Sequence, residues 1–214
     1  MTPDQRIQLI LIVVVSYLLG SFPTAYLIAR RRNLNIFTIG SGNMGATNVI
    51  RAMGLWWGLA VWALDSGKGI LAIGIATLIM PENKAAATVI AALVAIVGHN
   101  WSLFAAMITG RMRGGKGAAI AFGTLLVIAP IQVILGMLAM FGVIILLTRY
   151  VSLGVLAMFG LGTTWMLVLI GQSKLPHEYM VYSLIMAALI LYRFRENIQR
   201  LLTGTERRLG ESTV

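Results

Sequence analysis

The run Ile7-Gln8-Leu9-Ile10-Leu11-Ile12-Val13-Val14-Val15-Ser16-Tyr17-Leu18-Leu19-Gly20-Ser21-Phe22-Pro23-Thr24-Ala25-Tyr26-Leu27-Ile28-Ala29 ends on Arg30-Arg31-Arg32. As a helix it reaches across a hydrocarbon core about 30 Å thick, and no charge interrupts it. The three arginines form a basic stop at the membrane surface. Gly20, Ser21 and Pro23 lie near its middle. The run is long and has no clear small-residue cleavage site, so it reads as a first crossing rather than a cleavable signal peptide.

The rest of the chain has the same character. Of 214 residues 58% are hydrophobic and 11% charged, and the mean hydropathy is +0.86. Soluble domains carry about 25% charged residues. A polytopic membrane protein forming a single domain over residues 1–214 is expected, with an all-α architecture. With no cysteine, disulfides, thiolate metal sites and thiol nucleophiles are excluded. The formal charge of +10 is assigned to membrane-facing loops and anionic metabolites, not to nucleic acid.

Further apolar stretches run from about Leu55 to Met80, Ala85 to Ile108, up to Pro130, on to Leu147, Val151 to Ile170 and Tyr179 to Leu191. With the first run they give seven crossings, with two shorter helices turning near Pro130. Thirteen of the 17 Lys and Arg residues fall on one side of this path, Arg6, Lys84 and Lys174 on the other, and Lys68 within a crossing. The asymmetry puts the N-terminus outside and the C-terminus in the cytoplasm. All the glycine-rich polar segments then face the cytoplasm.

The first such segment is Gly40-Ser41-Gly42-Asn43-Met44-Gly45-Ala46-Thr47-Asn48-Val49-Ile50-Arg51. Its glycines let backbone N–H groups approach an anion, and a helix starting near Ala46 or Thr47 would add its dipole, with Arg51 about one turn on. A polar hinge is the plainer reading, but it would not need Asn43, Thr47, Asn48 and Arg51 together. The second is Arg111-Met112-Arg113-Gly114-Gly115-Lys116-Gly117, opening into an apolar helix. Glycines around a lysine at a helix start suit a second anion. Arg111 and Arg113 read as a topology signal. The third is the tail Arg193 to Glu206, whose Leu191, Phe194, Ile198, Leu201 and Leu202 have the spacing of an amphipathic surface helix. Arg193, Asn197 and Glu206 stand out from it. Asp65 and Lys68 share a helix face and neutralise each other, as a structural pair or a functional one. His99 is a proton acceptor or a buried hydrogen-bonding group; His177, on the outer side, is interfacial.

These segments resemble, along the whole chain, the bacterial membrane acyl-phosphate-dependent glycerol-3-phosphate acyltransferases. The resemblance rests on Gly40-Ser41-Gly42-Asn43-x-Gly45-Ala46-Thr47-Asn48-x-x-Arg51, on His99 before Phe104 and Gly114-Gly115-Lys116-Gly117, and on Asn197-Ile198-x-Arg200-Leu201 before Gly204-x-Glu206. It implies a seven-helix bundle in the bacterial inner membrane. The donor would be acyl phosphate, the acceptor glycerol 3-phosphate, and the products lysophosphatidic acid and phosphate, without a cofactor, metal or nucleic acid; a monomer would suffice. Catalytic roles are expected for Ser41, His99, Lys116 and Asn197. Substrate binding is expected of Gly42, Asn43, Gly45, Ala46, Thr47, Asn48, Arg51, Gly114, Gly115, Gly117, Ser152 and Arg193. Met44 and Ser102 stand where the family often has Pro, and Phe194 where it commonly has His.

No Ser-His-Asp or Cys-His arrangement is present, and Phe104 occupies the place of the Asp in a His-x4-Asp pattern. An acyl phosphate, a mixed anhydride, needs no covalent enzyme intermediate. A small organic-anion transporter is the alternative from another class, but it would need polar groups on both membrane faces. An alcohol phosphatidyltransferase needs several metal-binding Asp residues, and this chain has only Asp4 and Asp65.

Overall fold

The computed structural model describes residues 2–210. The helices are α1 (Pro3–Ser21), α2 (Thr24–Arg30), α3 (Ala46–Met53), α4 (Leu55–Ile79), α5 (Lys84–Asn100), α6 (Leu103–Thr109), α7 (Ala118–Ile128), α8 (Ile131–Thr148), α9 (Val151–Gly171) and α10 (Glu178–Leu202). By length and composition, Pro3–Arg30, Leu55–Ile79, Pro81–Asn100, Ile131–Thr148 and Val151–Gly171 can each cross a membrane; Ala118–Ile128 is apolar but shorter. The chain expected as one domain groups into two compact units, Met1–Val127 and Ile128–Val214.

In the first unit α1 packs along α5 and α4. Small residues set the distance. A Cβ at Gly20 would fall on the Ala95 carbonyl, and one at Gly98 on the Tyr17 carbonyl. Such backbone-to-backbone approach is how helices associate in lipid, where apolar side chains gain nothing from leaving the solvent. Helix α4 turns Asp65, Ser66 and Lys68 inward and leaves Leu64, Ile70 and Leu71 exposed, as expected where hydrocarbon is the solvent.

Two expected crossings are interrupted. The first breaks at Phe22 and Pro23: Pro23 has no N–H to continue α1, and α2 starts afresh at Thr24. The stretch expected to run from Ala85 to Ile108 stops at Asn100 and restarts at Leu103. There Ser102 caps α6, its hydroxyl accepting from Ala105 N at 3.1 Å and donating to Ser21 O at 2.5 Å, while its own N–H bonds Arg113 O at 3.2 Å. Side-chain and backbone bonds thus replace the helical ladder at both breaks. The expected turn near Pro130 separates α7 from α8.

In the second unit α9 packs on α8 and α10. Gly154 lies against Phe141, and Gly162 against Met137. Helix α10 continues without a break through the stretch expected to be a separate surface helix. The tail folds back on the α8–α9 corner, where Arg149 Nε and Nη2 donate to Leu209 O at 3.0 and 2.6 Å and Leu209 N donates to Arg149 O at 2.7 Å.

Glycine packing gives a direct test. Gly98→Val should destabilise the protein by about 1–3 kcal/mol or more, because backbone, not a flexible side chain, obstructs the added atoms. Gly74→Ala, at a position with open space, should be neutral or raise the melting temperature in detergent. Equal melting temperatures for the two variants would contradict this account of α1–α5 packing.

Candidate active site

The first glycine-rich segment is a folded loop. Gly40 and Gly42 have φ of 59° and 64°, a region other L-residues rarely adopt. Asn48, buried in the first turn of α3, ties the loop together. Its Nδ2 donates to the carbonyls of Ile36, Ile39 and Asn43 at 3.2, 3.0 and 3.0 Å, and its Oδ1 accepts from Ser41 N at 3.0 Å. Expected at the substrate, Asn48 spends its amide on the loop and presents the exposed Ser41. Helix α3 begins at Ala46 with Gly45 as its cap, as its sequence suggests. Gly42, Asn43, Gly45, Ala46, Thr47 and Arg51 are half-buried around that helix start. Beneath them Ile36, Phe37, Met44 and Val49 pack with Ala25, Ala29, Val61 and Ala105.

The second segment lies on the end of α5. Gly115 N donates to His99 O at 3.1 Å. A Cβ on Gly115 would fall on the His99 imidazole, and one on Gly114 on the His99 carbonyl. Only glycine lets the strand lie this close. Gly117, at φ 81° beside the Asn100 amide, turns the chain into α7, leaving Lys116 half-buried just before that helix. His99 itself is buried at 4% exposure.

Arg113 joins the two segments. Its guanidinium stacks 4.8 Å over the Phe37 ring, and its Nη2 lies 3.8 Å from where a Gly42 Cβ would sit. Sequence reading gave Arg113 to topology alone. What it could not show was that the Ser102–Arg113 bridge carries this side chain to the first loop. Phe37 in turn stacks on Tyr26 at 5.7 Å. The first unit therefore gathers Ser41, the α3 N-terminus and Arg113 on connected loops, with Gly114 to Gly117 continuing from Arg113.

The second unit has its own polar cluster, centred on Glu206. Glu206 Oε1 accepts from Ser152 Oγ at 2.8 Å and from Asn197 Nδ2 at 2.6 Å, and Oε2 from Arg200 Nε at 2.6 Å. Ser152, in the first turn of α9, and Asn197, on α10, are thus held by one carboxylate. Arg200 is a member to which the sequence alone assigns no role. Arg193 is half-buried, and Phe194 is buried on the same helix. Burial alone would raise the Glu206 carboxyl, but the hydrogen bonds from Ser152, Arg200 and Asn197 and the Arg200 charge hold it below its ordinary value. Among the described residues, no group of three or more His, Cys, Asp or Glu gathers where a metal ion could be held.

The comparisons with known proteins agree along nearly the whole chain. Residues 10–204 match the family model described as glycerol-3-phosphate acyltransferase. A glycerol-3-phosphate acyltransferase of Halalkalibacterium halodurans is 38% identical over 94% of this chain and 95% of its own. Glycerol-3-phosphate acyltransferase 2 of Moorella thermoacetica is 40% identical over 94% and 98%. A crystal structure of PlsY (YgiH), an integral membrane glycerol 3-phosphate acyltransferase, in its glycerol 3-phosphate form is similar with a TM-score of 0.82. It is 35% identical over 94% of this chain and 96% of that one. The lysophosphatidic acid form of the same protein matches with a TM-score of 0.81.

The Glu206 cluster makes stability depend on pH. A carboxyl whose folded pKa is depressed stabilises the fold fully above its unfolded value, near 4.5, and this contribution is lost as pH falls through the lower folded value. Glu206→Gln should lower stability at pH 7 by about 1–3 kcal/mol and flatten the acid limb below about pH 4.5. Thermal unfolding in detergent between about pH 3 and pH 7 reads both; an acid limb unchanged in the variant would contradict the assignment.

Proposed function

The chain belongs to the glycerol-3-phosphate acyltransferase family, and we propose that it transfers an acyl group from acyl phosphate to glycerol 3-phosphate. The products are 1-acylglycerol 3-phosphate, a lysophosphatidic acid, and inorganic phosphate. The observation that carries this reading is the pairing of two glycine-rich segments in one unit, each opening into a helix and linked through Arg113 beside Gly42. Both substrates of the reaction are phosphate-bearing anions, and each such segment suits one.

The primary hydroxyl of glycerol 3-phosphate attacks the acyl carbonyl carbon; the bond from that carbon to the phosphate oxygen breaks, and the hydroxyl proton passes to a substrate phosphate. Phosphate is a good leaving group, so the protein's task is to bring two anions together and neutralise charge. Ser41, the backbone from Gly42 to Thr47, Arg51 and the Gly114 to Gly117 segment with Lys116 bind phosphate oxygens. Asn48 contributes by holding Ser41 in place. Asn197, Ser152 and Arg193 are the further residues assigned to substrate, and within their own unit Glu206 fixes the first two. The buried His99, packed against Gly115, supports that segment rather than acting as the base.

Among the described residues, five helical stretches meet the length and hydropathy of a span. Together with α7 and the apolar first half of α10 they make seven crossings, with the N-terminus outside and the glycine-rich segments in the cytoplasm of a bacterial cell. An internal soluble pool of glycerol 3-phosphate is then available to a site at the membrane surface.

Purified protein supplied with acyl phosphate and labelled glycerol 3-phosphate should form labelled lysophosphatidic acid without metal, acyl-CoA or acyl carrier protein. Product formed only from acyl-CoA would refute the donor. Lys116→Ala should lose about 2–4 kcal/mol of transition-state stabilisation. His99→Gln, in contrast, should keep more than about a tenth of the rate and both limbs of its pH profile, whereas removal of a general base usually costs about 10²- to 10⁴-fold.

Topology is testable because the chain has no cysteine. Intact cells treated with an impermeant thiol reagent should label Glu82→Cys but not Thr38→Cys, both at exposed positions. The opposite pattern would invert the map.

A further inference from the structure

The charged pair on α4 reaches well beyond itself. Lys68 Nζ lies 2.7 Å from Asp65 Oδ1, 2.8 Å from Phe22 O and 3.4 Å from Gly20 O. Two of the ammonium's three N–H groups thus donate to backbone carbonyls, while the carboxylate balances its charge. The two carbonyls belong to the break between α1 and α2, so a lysine from another helix caps it. The neighbouring residue, Ser21, accepts Ser102 Oγ on its carbonyl at 2.5 Å, and its hydroxyl donates to Gly98 O at 3.2 Å. Ser102 N holds Arg113 O, and His99 O holds Gly115 N.

The same stretch of α4 grips the other end of the glycine segment. Ser66 Oγ donates to Ala119 O at 2.9 Å, just after Gly117. A Cβ at Gly69 would meet Ile120 O at 2.8 Å, and one at Gly123 would fall on the Ser66 carbonyl. Residues 65–69 therefore anchor the segment 110–117 directly behind it and, through the helix break, ahead of it.

We propose that Lys68 is a positioning residue for the Arg113 to Gly117 anion segment, acting through the Gly20 and Phe22 carbonyls and the Ser21–Ser102 hydrogen bond. A pair serving only to neutralise charge would need the Asp65 contact alone, and the position of the ammonium beneath the broken helix would have no consequence for catalysis. A misplacement of about 1 Å in a binding group can lower a rate by about 10²-fold. The proposal takes the acyl transfer described above as the activity that reports on it.

The decisive variant exchanges the charges, Asp65→Lys with Lys68→Asp. It keeps a neutral pair at the same spacing but leaves no donor at position 68 for the two carbonyls. In detergent it should unfold below the parental temperature, since two carbonyls lose their donor, yet remain folded at the assay temperature, where it should lose about 10²-fold in kcat/KM and show a raised KM for glycerol 3-phosphate or acyl phosphate. Lys68→Arg, which keeps both charge and donors, should stay within about tenfold of the parent with near-parental KM values, since only contact geometry changes. If the exchanged pair does not fold, Asp65→Asn with Lys68→Gln replaces it: no charge remains, and the shorter side chain at 68 falls short of the break. A folded double variant with parental kcat/KM, or one whose loss leaves both KM values unchanged, would overturn the proposal. A parent protein inactive with acyl phosphate would instead overturn the functional reading; titration of glycerol 3-phosphate onto parent and variants would then still test Lys68, equal affinities counting against it.

Discussion

Carbonyl groups released where a helix breaks inside apolar surroundings must find donors within the protein, because an unsatisfied backbone group in hydrocarbon costs several kcal/mol. Pro23 creates that demand at the end of α1. The donors come from elements distant in sequence: Lys68 of α4 for Gly20 and Phe22, Ser102 for Ser21. Meeting the demand brings the end of α5 and the start of α6 to the break. The strand that carries Arg113, Gly114 and Gly115 is bonded to that corner. A defect in the first helix is thus the seat of the segment proposed to bind an anion.

Preorganisation is achieved by bonds within the loops. Three carbonyls of the first loop converge on one Asn48 amide group, and the loop sits on a small apolar core of its own. The Ser41 hydroxyl is therefore carried on a backbone already fixed. Groups aimed in advance at developing charge act without reorganising during the reaction, which is the largest single source of catalysis in many enzymes. Close packing of Gly114 and Gly115 on His99 serves the same end: with no side chain between them, the glycine strand follows the shape of the helix terminus beneath.

Much of this was legible in the sequence, and the remainder was missing for definite reasons. The apolar runs located α1, α4, α5, α8 and α9 because length and hydropathy need no knowledge of tertiary structure. The helix start at Ala46 falls within the start near Ala46 or Thr47 that an anion site on the glycine loop would use. The breaks at Pro23 and Ser102 are harder, since Pro can kink or end a helix, and Ser102 acts through a partner 81 residues away in sequence. Arg113 reads from sequence as a topology signal because its Phe37 and Gly42 neighbours are brought to it only by the fold. Asn48 carried the right composition for a ligand contact, yet only geometry assigns its amide to the loop.

Electrostatic character divides between the units in a way that bears on Phe194. In the second unit the buried carboxylate of Glu206 is already satisfied by Ser152, Asn197 and Arg200, so its charge orients these groups rather than meeting a substrate. Phe194 lies one turn before Asn197 and is buried. A benzyl side chain offers no hydrogen bond to an anion, where the imidazole common in the family could. Arg193 is the adjacent cation, permanently charged and able to donate in a planar fork. Recognition through a guanidinium does not depend on protonation near neutral pH as an imidazole's does. Under the proposed function, an anion-binding contribution from α10 would rest on a charge that pH does not switch.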